Sequence, residues 1–296
     1  MRHWTDLLLT ALAPMIWGST YIVTTTFLPG LDPMLVALLR ALPAGLLMLL
    51  FVRRLPTGLW WLRIFVLGAL NFSIFWWMLF LAAYRLPGGV AATVGAVQPL
   101  IVVFLARLAL GSPIRSVSLI AAVMGLVGVG LLILTPDAAL DTVGIAAGLT
   151  GAVSMAAGTV LTRRWRPPVP LLTFTAWQLT AGGILLLPVL FIVDLAHVEF
   201  TLAGLGAILY LGPIGAVVTY WVWFRGIARL DPNLVSPLGF LSPTVAVLLG
   251  WLLAGEHFSG AQILGFGLIA VSILMAQWRR KEPVIASTLK AATAHR

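Results

Sequence analysis

The sequence predicts an all-α membrane protein with ten transmembrane helices arranged as two inverted five-helix repeats. Apolar residues make up 61% of the 296 residues, charged residues only 9%, and the mean hydropathy is +1.07. About a quarter of the residues in a soluble domain are charged, so this composition indicates a polytopic membrane protein. The helix count comes from ten apolar runs, and the repeats come from residues that match at a constant spacing.

A helix that crosses the bilayer needs about 20 mostly apolar residues. Ten runs approach or exceed this length, and the breaks between them carry Pro, Gly, Asp and Arg, which favour turns. The runs are residues 7–28, 34–52, 61–84, 90–110, 117–134, 143–161, 171–193, 202–227, 234–254 and 261–278. The first run follows a short basic start, as in a signal peptide, but no small-residue cleavage site follows it, so we interpret it as the first helix.

The charged residues separate into two sets that alternate along the chain. Helix ends with Arg53, Arg163 and Arg229 fall in one set, and helix ends with Asp32 and Asp141 fall in the other. Because basic loops stay in the cytoplasm, both termini are predicted to be cytoplasmic in a bacterial inner membrane. The net charge of +9 therefore reads as a topology signal, and no nucleic acid partner is expected.

The two halves match at a spacing of 144 residues. Leu67-Gly68 matches Leu211-Gly212, and Arg85-Leu86 matches Arg229-Leu230. The predicted units are residues 1–138, residues 139–280 and a short tail at 281–296. Five is an odd number, so the halves must be antiparallel, and inverted repeats are typical of secondary transporters that bind substrate near the midplane.

One short motif occurs in both repeats, inside an apolar run. Proline lacks an N–H and its ring clashes with the carbonyl four residues earlier, which is glycine in both copies. An exposed backbone acceptor in a membrane must face protein or a water-filled cavity. We therefore predict a helix-break and gating set that lines a central cavity: Gly95, Pro99, Gly239, Ser242 and Pro243.

Two polar residues are the first candidates for substrate binding. Arg40 is the only charge placed clearly inside a span, roughly 9 Å past Met34 at 1.5 Å per residue. One possibility is that it faces the cavity, where it binds a substrate carboxylate or closes the outer gate. The other is that it extends to the outer headgroups. Gln98 lies near the midplane beside a helix break, and its amide suits a zwitterionic ligand. The alternative for Gln98 is a hydrogen bond between helices.

Aromatic and polar side chains in three further helices complete the candidate binding set: Trp17, Tyr21, Asn71, Trp77 and Trp221. Trp17 and Tyr21 share one face of the first helix by the 3.6-residue period. The alternatives are packing between helices and, for the tryptophans of the third and eighth helices, an interfacial aromatic belt.

The remaining residue types argue against several functions. None of the nine Asp and Glu residues lies in the middle of a span, the four His residues are peripheral, and there is no Cys. Proton relays, cation sites and catalytic centres in membranes usually need such groups. We expect no enzyme activity, no catalytic residue, no cofactor and no metal. The expected partners are a small-molecule substrate and the lipid bilayer, with a monomer favoured and a dimer possible.

Specific residues carry a resemblance to a known family. They are Trp17-Gly18, Arg40, Pro99, Pro243 and, most specifically, Gly255-Glu256 with Gln262 to Gly265. With them, residues 5 to about 280 resemble the EamA branch of the drug/metabolite transporter superfamily, and most of all the YddG-type aromatic amino-acid exporters. In the first half Ser112 stands where the family pattern has the glutamate. The resemblance implies export of amino acids by alternating access. Drug or metabolite export, or a non-saturating channel or scramblase, are the alternatives.

Overall fold

The computed structural model describes residues 2–86, 91, 94–133, 141–166, 168–194, 201–254 and 259–277. These residues form helices and connecting turns, and they contain no β-strand. The helices are α1 (Arg2–Phe27), α2 (Pro33–Val52), α3 (Trp60–Arg85), α4 (Gln98–Leu110), α5 (Ser116–Ile133), α6 (Thr142–Trp165), α7 (Leu171–Phe191), α8 (Leu202–Arg229), α9 (Leu241–Ala254) and α10 (Gly260–Gln277).

The described helices are those of a multi-pass membrane protein with an all-α fold. Six of them, α1, α2, α3, α6, α7 and α8, are long and apolar enough to cross a bilayer. Shorter apolar helices occupy α4, α5 and α10. The predicted Gly255-Glu256 pair, the predicted repeat boundary at 138 and the tail from 281 to 296 lie outside the described residues.

Two helices change their winding in mid-course. A π-helical segment, Ala69–Ser73, interrupts α3, and a longer one, Tyr210–Val218, interrupts α8. A π segment replaces i→i+4 hydrogen bonds by i→i+5 bonds and rotates the faces of everything that follows. The segment in α8 contains Pro213, whose missing N–H disfavours regular α-helix at this point.

Regular α-helix is interrupted just before both α4 and α9, at the predicted breaks. The chain forms a turn at Ala96 and Val97 before α4 begins at Gln98. A short helix and a 3-10 turn, Ser236–Phe240, precede α9. Pro99 and Pro243 therefore lie in first helical turns, where a missing N–H removes no helical hydrogen bond. Each interruption therefore lies just before its proline and inside the predicted apolar run.

The helices pack as two bundles joined by two helix pairs. In the first bundle α3 and α4 pack along α6, and in the second bundle α8 and α9 pack along α1. The pairs are α2 with α7 and α5 with α10. Glycines allow these close approaches: a Cβ on Gly45 of α2 would lie 2.5 Å from the backbone nitrogen of Thr180 in α7.

The charged helix ends define two ends of the molecule. At the acidic end, Asp32 caps α2 by accepting from two backbone N–H groups, and Asp141 caps α6 at 2.7 Å from the nitrogen of Gly144. Carboxylates are favoured at such positions because helix N-termini carry unpaired donors. The basic end carries Arg53, Arg163 and Arg229, which lie at or just beyond the last turns of α2, α6 and α8.

Candidate substrate cavity

A cavity lies between the two bundles, near the middle of the helices. Its walls come from α1, α8 and the start of α9 on one side, and from α3, α6 and the start of α4 on the other. The centre of a water molecule can occupy about 100 Å³ of it, whereas one water needs only about 10–15 Å³ by that measure. The cavity therefore has room for several waters or a small solute.

The cavity lies near mid-depth, because its lining residues on α1, α3 and α6 lie nearer the acidic end and those on α8 and α9 lie nearer the basic end. On α1 its lining residues are Trp17, Thr20 and Tyr21, whereas Leu7 and Thr10, nearer the basic end, are buried in packed surroundings. A Cβ on Gly226 of α8 would lie only 2.4 Å from Thr10, so these two helices are in direct contact there. On the first bundle, Ala82 lines the cavity within one turn of the acidic end of α3. Between the bundles, the basic side of the cavity is closed where the ring of Phe72 in α3 packs on Tyr220 and Phe224 of α8, at centroid distances of 4.5 and 6.3 Å.

Arg40 of α2 contributes the charge in this cavity. Its side chain is only 2% exposed, so it does not extend to the headgroups. The guanidinium lies 4.3 Å from the ring centroid of Trp76, a cation–π contact, and its Nη2 donates to the Gly215 carbonyl oxygen at 2.6 Å. The Nε–H of Arg40 has no hydrogen-bond partner.

The Gly215 carbonyl belongs to the π-helical segment of α8 and accepts from three side chains. Besides Arg40, the indole Nε1 of Trp17 donates to it at 3.1 Å and the hydroxyl of Thr219 donates at 2.7 Å. These contacts bring α1, α2 and α8 together beside the cavity. The carbonyl would keep two donors if Arg40 turned away.

Aromatic rings form much of the wall opposite the helix breaks. Tyr220 lies 4.8 Å from Trp17 and 5.6 Å from Trp76, centroid to centroid, and Trp223 lies 5.3 Å from Trp17. All four rings line the cavity. Such tilted and edge-on contacts fix the rings and present flat apolar surface to a solute.

The predicted helix-break set lies at the same cavity. Gly95 and Gly239 each have open space where a Cβ would stand, and both line the cavity. Gln98 and Ser242, in first turns of α4 and α9, line it together with Pro99 and Pro243. Gln98 and Ser242 are therefore polar groups on opposite bundles, facing one space.

Three residues of the predicted binding set do not line the cavity. Trp77 and Trp221 have 40% and 43% of their surface exposed on the outside of the helices. Asn71 is fully buried, and its Nδ2 donates to Oε1 of Gln178 at 2.8 Å in the contact between α3 and α7. The polar amide of Asn71 therefore joins helices, the role that was weighed as an alternative for Gln98.

Three further rings that line the cavity were not in the predicted binding set: Trp76, Tyr220 and Trp223. Trp76 and Tyr220 each precede a predicted tryptophan by one position, and successive helix positions differ by about 100° in direction. Because each ring follows a π segment, its face does not follow from counting at 3.6 residues per turn. The 144-residue spacing does not separate the two pairs, because Trp77 and Trp221 are also 144 residues apart.

Comparison with known proteins identifies the chain. The model of the EamA-like transporter family matches residues 4–134 and again residues 142–278. The chain belongs to the EamA-like transporter family. This confirms the resemblance to the EamA branch that was inferred from Trp17-Gly18, Arg40, Pro99 and Pro243.

Some relatives of this EamA-like protein carry the word transporter in their names. The protein PecM of Dickeya dadantii (strain 3937) is 47% identical over 267 residues, which cover 90% of each chain. The uncharacterized inner membrane transporter YedA of Escherichia coli (strain K12) is 28% identical over 94% of each chain. A solved crystal structure has a TM-score of 0.76 at 22% identity, over 92% of this chain and 97% of its own, which shows a shared fold.

Side-chain hydrogen bonds cross between the two bundles of this EamA-like transporter near its two ends. At the basic end, Nη1 of Arg163 in α6 donates to the carbonyl oxygen of Ile227 in α8 at 2.8 Å, and also to that of Ala228. At the acidic end, the hydroxyl of Tyr84 in α3 donates to the carbonyl oxygen of Leu28, just after α1, at 2.7 Å.

Ion pairs lie near both ends as well, but each joins two helices of one bundle. Asp6 of α1 binds Arg225 and, at 3.2 Å, Arg229 of α8. Arg85 of α3 lies 3.7 Å from Asp141, the cap of α6. The ion pairs hold each bundle together, whereas the side chains of Arg163 and Tyr84 tie one bundle to the other.

Proposed function

We propose that this protein is a secondary transporter that exports amino acids, with aromatic and other neutral ones favoured, or similar small metabolites. It works by alternating access across the bacterial inner membrane, with both termini in the cytoplasm. The observation that carries the proposal is the cavity itself, which lies between two separately packed bundles and is closed on its basic side by the contacts of Phe72 with Tyr220 and Phe224. Membership of a transporter family supports the general class of function.

The proposed architecture is ten spans in two inverted repeats, and the cavity supports it. Its lining positions form pairs 144 residues apart: Trp76 with Tyr220, Leu79 with Trp223, Gly95 with Gly239, Ala96 with Phe240, Gln98 with Ser242 and Pro99 with Pro243. The helix contacts support the same symmetry. Exchanging each of α1–α5 with its counterpart in α6–α10 turns the first bundle into the second and leaves the pairs α2–α7 and α5–α10 unchanged.

Alternating access follows if the two bundles rock against each other about the cavity. Contacts within each bundle are extensive, whereas α1 touches α3, and α6 touches α8, over much shorter stretches. Breaking the Arg163 bonds would open the basic end, and forming further contacts around Tyr84 would close the acidic end. The irregular starts of α4 and α9 lie where such a motion needs adaptable backbone.

The preference for amino acids rests on the groups around the cavity. Arg40 offers charge to a carboxylate, Gln98 and Ser242 offer neutral donors and acceptors, and the rings of Trp17 and Trp76 offer flat apolar surface. This combination supports the YddG-type aromatic exporter as the subtype. A cationic drug would find no carboxylate among the described residues that line the cavity.

The test is transport in liposomes that contain the purified protein. We expect saturable uptake and counterflow of aromatic amino acids, competed by other neutral amino acids. The variant Gln98→Leu should lose most of the transport, while Gln262→Leu, the same change at the start of α10 and away from the cavity, should keep it. No movement of any amino acid would refute the substrate proposal. Flux that rises linearly with concentration would indicate a channel or scramblase instead.

A further inference from the structure

We infer that the cavity recognises its cargo by the carboxylate and not by the ammonium group. Arg40 is the residue that binds the carboxylate, so aromatic carboxylates without an amino group are ligands of the same site. This inference rests on the proposed function for its physiological meaning, because it specifies which chemical class the transporter accepts. The binding claim itself concerns only the cavity and Arg40.

The charge of the cavity is the first observation. Arg40 is the only charged residue among the described residues that line it. A buried guanidinium without a carboxylate partner is unfavourable, since a carbonyl and an aromatic face replace only part of its lost hydration. In a site of low dielectric, an entering anion gains from this uncompensated charge.

The supply of unused hydrogen-bond donors is the second observation. Among the described lining residues, the buried polar atoms that lack a partner are Nε of Arg40 and Nε1 of Trp223. Both atoms are donors only, and because both are buried, each side chain must turn toward the cavity to offer its donor to a ligand. A carboxylate, which is an acceptor with two oxygens, complements them, whereas an ammonium group, which is a donor only, does not.

The Gly215 carbonyl makes Arg40 available for this role. Nη2 of Arg40 donates to that carbonyl. Since Trp17 and Thr219 also donate to it, Arg40 can turn toward a ligand without leaving a buried acceptor unpaired. The planar fork of Nε and Nη can then bind both oxygens of one carboxylate.

The ammonium group of an amino acid has no matching charged partner here. The polar groups of Gln98 and Ser242 can accept a hydrogen bond but carry no charge, and Arg40 repels a cation in the same space. The flat apolar remainder of the ligand has the rings of Trp17, Trp76 and Tyr220 to pack against. Removing the amino group therefore removes repulsion and leaves the contacts that favour binding.

The test compares four compounds that share one ring: phenylalanine, 3-phenylpropionate, phenylalaninamide and phenethylamine. Their binding to the purified full-length protein in detergent is measured by isothermal titration calorimetry. We expect 3-phenylpropionate to bind at least as tightly as phenylalanine, and the two compounds without a carboxylate to bind at least about tenfold more weakly. Equal or tighter binding of phenethylamine or phenylalaninamide would overturn the inference.

Variants assign the effect to Arg40. Arg40→Gln should weaken the binding of 3-phenylpropionate by at least about tenfold, and Arg40→Lys, which keeps the charge but loses the planar fork, should fall between it and the native protein. The control Arg115→Gln removes an exposed arginine outside the cavity and should bind normally. Unchanged binding in a folded Arg40→Gln protein would overturn the assignment. If that variant does not fold, the ligand series on the native protein still decides.

Liposome transport of the same four compounds separates this inference from the proposed function. Carboxylates that bind in the predicted order but do not cross the membrane would refute transport and leave the binding inference standing. Transport of phenethylamine with exclusion of 3-phenylpropionate would support a transport function and overturn the binding inference. Movement of both carboxylates, and of neither amine, is the result expected if both proposals are correct.

Discussion

The acidic and basic ends of this molecule are tied by equivalent contacts of different chemistry. At the basic end the last turns of α6 and α8 meet, and the charged side chain of Arg163 donates to two carbonyls of α8. At the acidic end α1 and α3 meet in the corresponding way, and the neutral hydroxyl of Tyr84 donates to one carbonyl. A hydrogen bond with a charged donor is about twice as strong as a neutral one. The basic end is therefore held by the stronger of the two contacts.

The ion pairs within the bundles also differ, because the Asp6–Arg225 pair at the basic end is less exposed than the Arg85–Asp141 pair at the acidic end. Asp6 binds two arginines, and the side chains of Asp6 and Arg225 are only 14% and 19% exposed. Arg85 and Asp141 are 51% and 36% exposed and lie 3.7 Å apart. Exposed pairs contribute little because water and salt screen them. The contacts at the two ends are thus similar in kind, and local burial determines how strong each one is.

The largest effect is expected from Arg163→Gln. Loss of the charged donor removes two bonds to α8 carbonyls, each worth about 1.5–3 kcal/mol when buried and less at this partly exposed site. The population with an open basic end should rise by about tenfold or more. The measurement is the labelling rate of Thr159→Cys by a water-soluble maleimide. Thr159 is buried and lies one turn beyond Met155, a cavity-lining residue of α6, toward the basic end. The native chain has no cysteine, so the reporter is unique.

Arg164→Gln is the control for that experiment. Arg164 follows Arg163 directly, carries the same charge and is exposed. Its substitution should leave the labelling of Thr159→Cys unchanged. Equal labelling in the two variants would mean that the Arg163 bonds do not hold the basic end closed.

Sequence patterns predicted which types of residue surround the cavity better than they predicted which face of each helix lines it. Trp17, Tyr21, Arg40 and Gln98 were chosen for depth or helical spacing, and all four lie around one space. The apolar runs located the helices, and the paired Gly-Pro motifs located the irregular starts of α4 and α9. These features follow from local chemistry, because proline, glycine and long apolar runs restrict the backbone wherever they occur.

The remaining features depend on packing between distant segments. The π segments at Ala69–Ser73 and Tyr210–Val218 rotate the later faces of α3 and α8, which explains why Trp76 lines the cavity and Trp77 does not. Charges at helix ends were interpreted as topology signals, so the pairing of Asp6 with Arg225 was not predicted. No periodicity within one helix contains that information, since the partner is a helix more than 200 residues away in sequence.

The next largest effect is expected on stability when Asp6 is changed to Asn. The substitution leaves Arg225 largely buried without its carboxylate, which should cost about 1–3 kcal/mol after allowance for partial exposure. The melting temperature in detergent should fall by several degrees. The matched change Asp141→Asn removes an exposed pair, and asparagine can still cap α6, so it should have almost no effect. Equal shifts in both variants would contradict the difference drawn between the ends.

The smallest effect is expected from Tyr84→Phe, which removes only the bond to the Leu28 carbonyl. One neutral hydrogen bond contributes about 0.5–1.5 kcal/mol, so the acidic end should open about two- to tenfold more often. The reporter is Ala82→Cys, which lines the cavity within one turn of Arg85.

The control Tyr210→Phe sharpens this last test, because it removes a hydroxyl contact of the same length that joins two helices of a single bundle. The hydroxyl of Tyr210 in α8 lies 2.7 Å from Oγ of Ser19 in α1. The hydroxyl of Tyr84 lies at the same distance from the carbonyl oxygen of Leu28. Only the bond that crosses between bundles should alter the labelling of Ala82→Cys. If Tyr210→Phe raised the labelling as much as Tyr84→Phe, the division into two moving bundles would be wrong. A rise with Tyr84→Phe alone would mean that even a single neutral bond between the bundles biases the opening of this end.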